Sequence, residues 1–197
     1  MYRLFSMGVE VFSAAIILLP VLLLLNKLLY HDMKKTIAYI VFALYLTAVY
    51  AATGLPSITH WQIDLSFNFI PFLDMVSDFK NAILNVLLFV PLGIMLPLLW
   101  GNFRNIKKSF FVGLGLTLTI ETLQIFTFRT TDINDLITNV AGTLIGYYSA
   151  HISICKNHKN IVANGRKNEL FQLFAVTFGI MFLIQPFISS MLWELIL

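Results

Sequence analysis

The residues best equipped for chemistry fall in one stretch, 121–139, which reads E-T-L-Q-I-F-T-F-R-T-T-D-I-N-D-L-I-T-N. Glu121, Gln124, Arg129, Asp132, Asp135 and Asn139 interrupt a chain that is otherwise largely apolar. Two carboxylates at such spacing suit general acid–base work, and amides beside a guanidinium suit the binding of a polar headgroup. The segments on both sides read as membrane spans. A carboxylate inside a span costs roughly 2.5–3.5 kcal/mol on insertion scales, so an ionisable group kept there marks a candidate functional site.

The elements that must position this stretch follow from composition. The chain has 197 residues, of which 58% are hydrophobic and 12% charged, whereas soluble chains carry about 25% charged residues. That balance implies a polytopic membrane protein forming a single membrane domain over 1–197. The net charge of +3 and the pI near 9.0 do not point to nucleic acid, because the basic residues sit in short loops between apolar segments. A lone cysteine, Cys155, excludes an intramolecular disulfide and a cysteine metal cluster. His31, His60, His151 and His158 lack metal-ligand spacing, so no metal and no cofactor is expected.

Six apolar segments are long enough to cross about 30 Å of hydrocarbon. They run over about 9–25, 36–55, 81–100, 110–128, 135–154 and 170–193. The expected fold is therefore an all-α membrane bundle of about six transmembrane helices with an outward-facing polar pocket. The first segment reads as an uncleaved span, since no small-x-small cleavage site precedes the basic loop. Ten of the thirteen Lys and Arg fall in the loops after spans one, three and five. The positive-inside rule puts those loops in the cytoplasm and both termini outside; the same loops offer a contact for anionic lipid. The long loop after span two, about 56–80, carries Trp61, Phe67, Phe69 and Phe72, and its L-S-F-N-F run alternates as a short strand would. It is expected to cap the bundle mouth at headgroup level.

Helical spacing aligns three polar faces. Asn81, Asn85, Phe89 and Gly93 share a stripe on span three; Gln124, Glu121, Thr117 and Gly113 share one on span four. Asp135, Asn139, Gly142 or Thr143, Gly146 and Ala150 share one on span five. Each stripe is polar at its outer end and small at its inner end, so the small ends should pack and the polar ends should surround a cavity. Glu121 lies seven residues inside the expected end of span four, roughly 10 Å by helix rise. Lys80 and Arg129 would sit at the rim, with Arg129 the first choice of partner for Glu121. More ordinary roles stand beside these: Asp132 and Asp78 as helix caps, Asn85 and Asn139 as interhelical glue, Asn81 as a backbone acceptor or donor at a helix start, and Pro91, Pro97 and Pro186 as kinks.

At this point the pattern resembles a known family. N-F-I-P-F at 68–72, N-x-x-x-N-x-x-x-F-x-P-L-G at 81–93, and E-x-x-Q followed by R-x-x-D-x-x-D-x-x-x-N-x-x-G-x-x-x-G at 121–146 together resemble the VanZ-like family of small integral membrane proteins. The resemblance covers 68–146, a core comprising the motif-bearing loop and spans three to five. It implies a multi-pass protein of the bacterial cell membrane, associated with resistance to teicoplanin, a lipid-tailed glycopeptide.

Three functions stay open at this level. In the first, the pocket formed by Lys80, Asn81, Asn85, Glu121, Gln124, Arg129, Asp132, Asp135 and Asn139 binds a polar-headed lipid. Its partners would be membrane lipids, a lipid-linked envelope precursor or a lipoglycopeptide. In the second, Glu121 and Asp135 are the catalytic pair of an enzyme acting on an envelope lipid or sugar. In the third, the stripes are glue and the protein is a structural or regulatory partner.

Overall fold

The computed structural model describes residues 2–59, 61–63, 67–68, 79–127, 131–157 and 165–196. The architecture is all-α, with a single pair of two-residue strands among the described residues. Among the described residues three stretches are long and apolar enough to cross a membrane: Arg3–Tyr30, Met33–Thr53 and Phe79–Leu99. The bent pair Lys167–Leu183 and Gln185–Leu195 makes a fourth if taken as one span. Helices also occupy the positions expected of spans four and five, and these carry the polar stripes. The chain divides into two compact units, 1–61 with 166–197, and 62–165.

In the first unit, α1 (Tyr2–Leu25) passes into a π-helical turn (Asn26–Tyr30) that stops at His31, whose φ of 52° is left-handed. Asp32 then caps α2 (Met33–Thr53), its carboxylate accepting from the backbone N–H groups of Lys34 (3.0 Å) and Lys35 (3.2 Å). Leu18 and Leu22 of α1 and Tyr39, Phe42 and Leu46 of α2 are fully buried, while Phe12, Ile16, Leu23 and Leu24 remain exposed, as lipid-facing side chains are. The span expected over 170–193 is two helices, α6 (Lys167–Leu183) and α7 (Gln185–Ile196), bent by 49°. Pro186 has no N–H to give to the carbonyl of Phe182 four residues back. That carbonyl accepts instead from the backbone N–H of Ile58 at 3.0 Å, so the break is satisfied inside the unit.

In the second unit, α3 (Phe79–Leu99) runs through Pro91 and Pro97 without a break. Asn105 caps α4 (Ile106–Gln124) by accepting from the Lys107 N–H at 2.9 Å. α5 (Ile133–Asn157) follows, its start set by Asp132, whose carboxylate accepts from the Asn134 N–H at 2.8 Å. Asp132 is thus the helix cap that its spacing allowed. α3 and α5 run parallel and in backbone contact. A Cβ built on Gly146 would strike the carbonyl of Val90, and one on Gly93 the carbonyl of Thr143. Only a residue without a side chain admits that approach, which is how helices gain packing energy where lipid is as apolar as leucine. α4 runs antiparallel beside α5, with Gly113 against Thr143. Strand β1 (Phe67–Asn68), inside the alternating L-S-F-N-F run, pairs in parallel with β2 (Thr131–Asp132). The cap expected from the rest of that loop, including Phe69, Pro71 and Phe72, lies outside the described residues.

Candidate functional site

The three polar stripes converge within the second unit, at the start of α5. Because α4 and α5 are antiparallel neighbours, the C-terminal end of one meets the N-terminal end of the other, and their polar groups form successive rungs. On the first rung the backbone N–H of Asp132 donates to Glu121 Oε2 at 3.1 Å. One turn deeper, Asn139 Nδ2 donates to Thr117 Oγ1 at 2.9 Å. From the side of α3, Asn85 Nδ2 donates to Asp135 Oδ1 at 2.7 Å. Asn85, Asp132 and Asp135 are half-buried; Glu121, Gln124 and Asn139 are buried.

Three carboxylates, Glu121, Asp132 and Asp135, therefore gather at the positive end of the α5 dipole, an arrangement that stabilises each by about 0.3–1 kcal/mol. Glu121 sits in the last turn of α4, where that helix's own dipole disfavours an anion. The start of α5 supplies the compensation. α4 ends at Gln124, four residues before the expected limit, and continues as a turn through Ile125 and Phe126. Glu121 is thus three residues from the helix end, roughly 4.5 Å by rise, rather than the expected 10 Å, yet only 5% exposed. Neighbouring chain rather than depth along α4 buries it. The turn is held by Gln62, whose N–H donates to the Phe126 carbonyl at 2.9 Å.

The remaining expected site residues are placed as follows. Lys80 and Asn81 lie in the first turn of α3 and are exposed. Arg129 and Asp78 lie outside the described residues, so the expected Glu121–Arg129 pair does too. Asn139 Oδ1 is buried without a hydrogen-bond partner among the described residues, an open acceptor one turn below Glu121. No group of His, Cys, Asp and Glu among the described residues is arranged to hold a metal ion.

One polar cluster was not anticipated from the sequence. In the first unit Lys35 Nζ lies 2.6 Å from Glu169 Oε1, with side chains 9% and 11% exposed. Glu169 Oε2 also accepts from Tyr39 Oη and from the Arg166 backbone N–H, both at 2.7 Å. The Lys35 ammonium stands 5.5 Å from the ring centroids of Tyr30 and Tyr39. Lys35 reads from sequence as one more loop lysine, and Glu169 as a residue near the start of an apolar span. The signal available was the placement of both in the third position of a helix.

Long apolar helices, small-residue packing and a polar junction fed by three helices define a multi-pass helical membrane protein whose ionisable groups gather at one helix start. A family model described as VanZ/LLP1 matches residues 36–155. Protein VanZ of Enterococcus faecium is 39% identical over 82 residues, 41% of this chain and 50% of that protein. This chain belongs to the VanZ/LLP1 family, and it is a bacterial membrane protein. Its aligned part spans about half the length of the curated relative it matches. No solved structure matches it. The match begins at residue 36 and ends at 155, wider than the 68–146 that the motifs covered; Lys35 and Glu169 fall outside it and the whole Glu121 junction falls inside.

Proposed function

We propose that the protein contributes to resistance against teicoplanin-type lipoglycopeptides by binding the polar head of a lipid or lipid-tailed ligand at the Glu121 junction. The observation that carries this reading is the Glu121 carboxylate itself, buried in the last turn of α4 and touching α5 at the Asp132 N–H. A carboxylate acting only as a helix-start acceptor could be replaced by the ordinary Ser, Thr or Asn at lower desolvation cost. Asn139 Oδ1, buried and without a partner among the described residues, adds an acceptor for a hydroxyl, amine or sugar amide. Lys80, exposed at the start of α3, and Arg129 would take an anionic group of the same ligand. Membership of the VanZ/LLP1 family supports the antibiotic side of the reading.

In this role the ligand is held and its access at the membrane surface lowered, without turnover. Both termini would lie outside the cell and the junction would open toward the outer leaflet, as the loop charges predict. The test is expression in a susceptible Gram-positive host, with inhibitory concentrations of teicoplanin and vancomycin measured against an empty vector. A selective rise for teicoplanin is expected. Equal values for both drugs, with the protein present in the membrane, would remove the resistance role.

A further inference from the structure

We propose a second site, independent of the Glu121 junction, where the first unit holds the phosphate headgroup of an anionic membrane lipid at the end formed by the π-helical turn and the starts of α2 and α6. Lys27, Lys34, Arg166 and Lys167 are all exposed there. Two acids share that end, and both are already engaged. Asp32 accepts from the Lys34 and Lys35 N–H groups as a helix cap. Glu169 accepts from Lys35, Tyr39 and the Arg166 N–H. Pairing with Glu169 withdraws Lys35 from the surface, so the four exposed bases face a single exposed carboxylate, Asp32, among the described residues of this end.

Helix stability does not account for these bases. Lys34 and Lys167 stand in the first turns of α2 and α6, where the helix dipole disfavours a cation. Interleaved with them are exposed apolar side chains, Leu28, Leu29, Met33 and Ile37, each more than half exposed. Bases interleaved with exposed apolar side chains meet a lipid as one ligand, tail against the apolar groups and phosphate against the bases. The π turn, a feature common at functional sites, sets Tyr30 edge-on to Tyr39 at 5.3 Å. The Tyr30 hydroxyl is buried at this end without a hydrogen-bond partner among the described residues.

The test is native mass spectrometry of the purified protein released from nanodiscs containing equal phosphatidylglycerol and phosphatidylcholine. Phosphatidylglycerol should be retained about tenfold over phosphatidylcholine in low salt, and the preference should collapse in about 1 M salt, where the Debye length falls to about 3 Å. Lys34→Gln and Lys167→Gln should each cut the preference about fivefold, the equivalent of about 1 kcal/mol per base near a charged surface. Lys34→Arg and Lys167→Arg should keep it. Equal retention of the two lipids by the wild type would overturn the site, as would a preference unmoved by the glutamine variants. A preference lost on Lys107→Gln with Lys108→Gln instead would overturn its placement. If either glutamine variant fails to fold, Lys27→Gln and Arg166→Gln make the same test.

Discussion

The two units solve the problem of a charge inside a membrane protein in opposite ways. In the first, Lys35 and Glu169 close on each other at 2.6 Å, and three donors from α2 and the start of α6 satisfy the carboxylate. In the second, Glu121 takes the backbone N–H of Asp132, the cap of α5, and the further polar contacts, Asn85 with Asp135 and Asn139 with Thr117, run along α3, α4 and α5. A closed ion pair anchors a helix start. An extended polar seam can admit something from outside. The family match spans the whole seam, whereas it begins one residue after Lys35 and ends before Glu169.

The comparison breaks most visibly if the closed pair is opened. Lys35→Met should destabilise the protein by about 3–5 kcal/mol, because it strands the Glu169 carboxylate, whereas Lys35→Met with Glu169→Leu should be close to neutral. Equilibrium unfolding in mixed micelles reads both, and additive losses would show that the pair is not coupled. Gly146→Leu should come next, at about 1–3 kcal/mol or more, because its side chain meets the Val90 carbonyl. Disulfide trapping between cysteines placed on α3 and α5 should report their separation. Asn85→Leu should cost less, about 0.6–1.7 kcal/mol, the range of hydrogen bonds between membrane helices. The same unfolding assay checks it, and a loss as large as that of Lys35→Met would erase the distinction between seam and pair. Glu121→Gln should have the smallest effect on stability, under about 1 kcal/mol, since its amide oxygen can still accept from Asp132.

What the sequence revealed of the seam was its periodicity. Offsets of three and four placed Glu121, Thr117 and Gly113 on one face and Asp135, Asn139 and Thr143 on another. Those faces meet because antiparallel neighbours bring matching polar ends together. Asp132 as a cap was legible for the same local reason. The depth of Glu121 was not. Hydropathy carries α4 on to Phe128, but the chain turns at Ile125, and what holds the turn is Gln62, far away in sequence. The pair Lys35–Glu169 was equally hidden, since 134 residues separate its members and no local rule matches a loop lysine to a distant helix start. The alternation of L-S-F-N-F pointed to a strand, but its partner at Thr131 and Asp132 follows from tertiary contact alone. Pro186 gave the break near α7, yet the donor that repairs it, Ile58, could not be read from the local pattern.

The central claim is that Glu121 serves function more than folding. The direct measurement is the teicoplanin inhibitory concentration of cells carrying wild type, Glu121→Gln or an empty vector, with the membrane abundance of each protein quantified in the same cultures. The account predicts that Glu121→Gln is as abundant as wild type and falls to the empty-vector value. Resistance that persists in Glu121→Gln, or a variant that disappears from the membrane along with its activity, would contradict it.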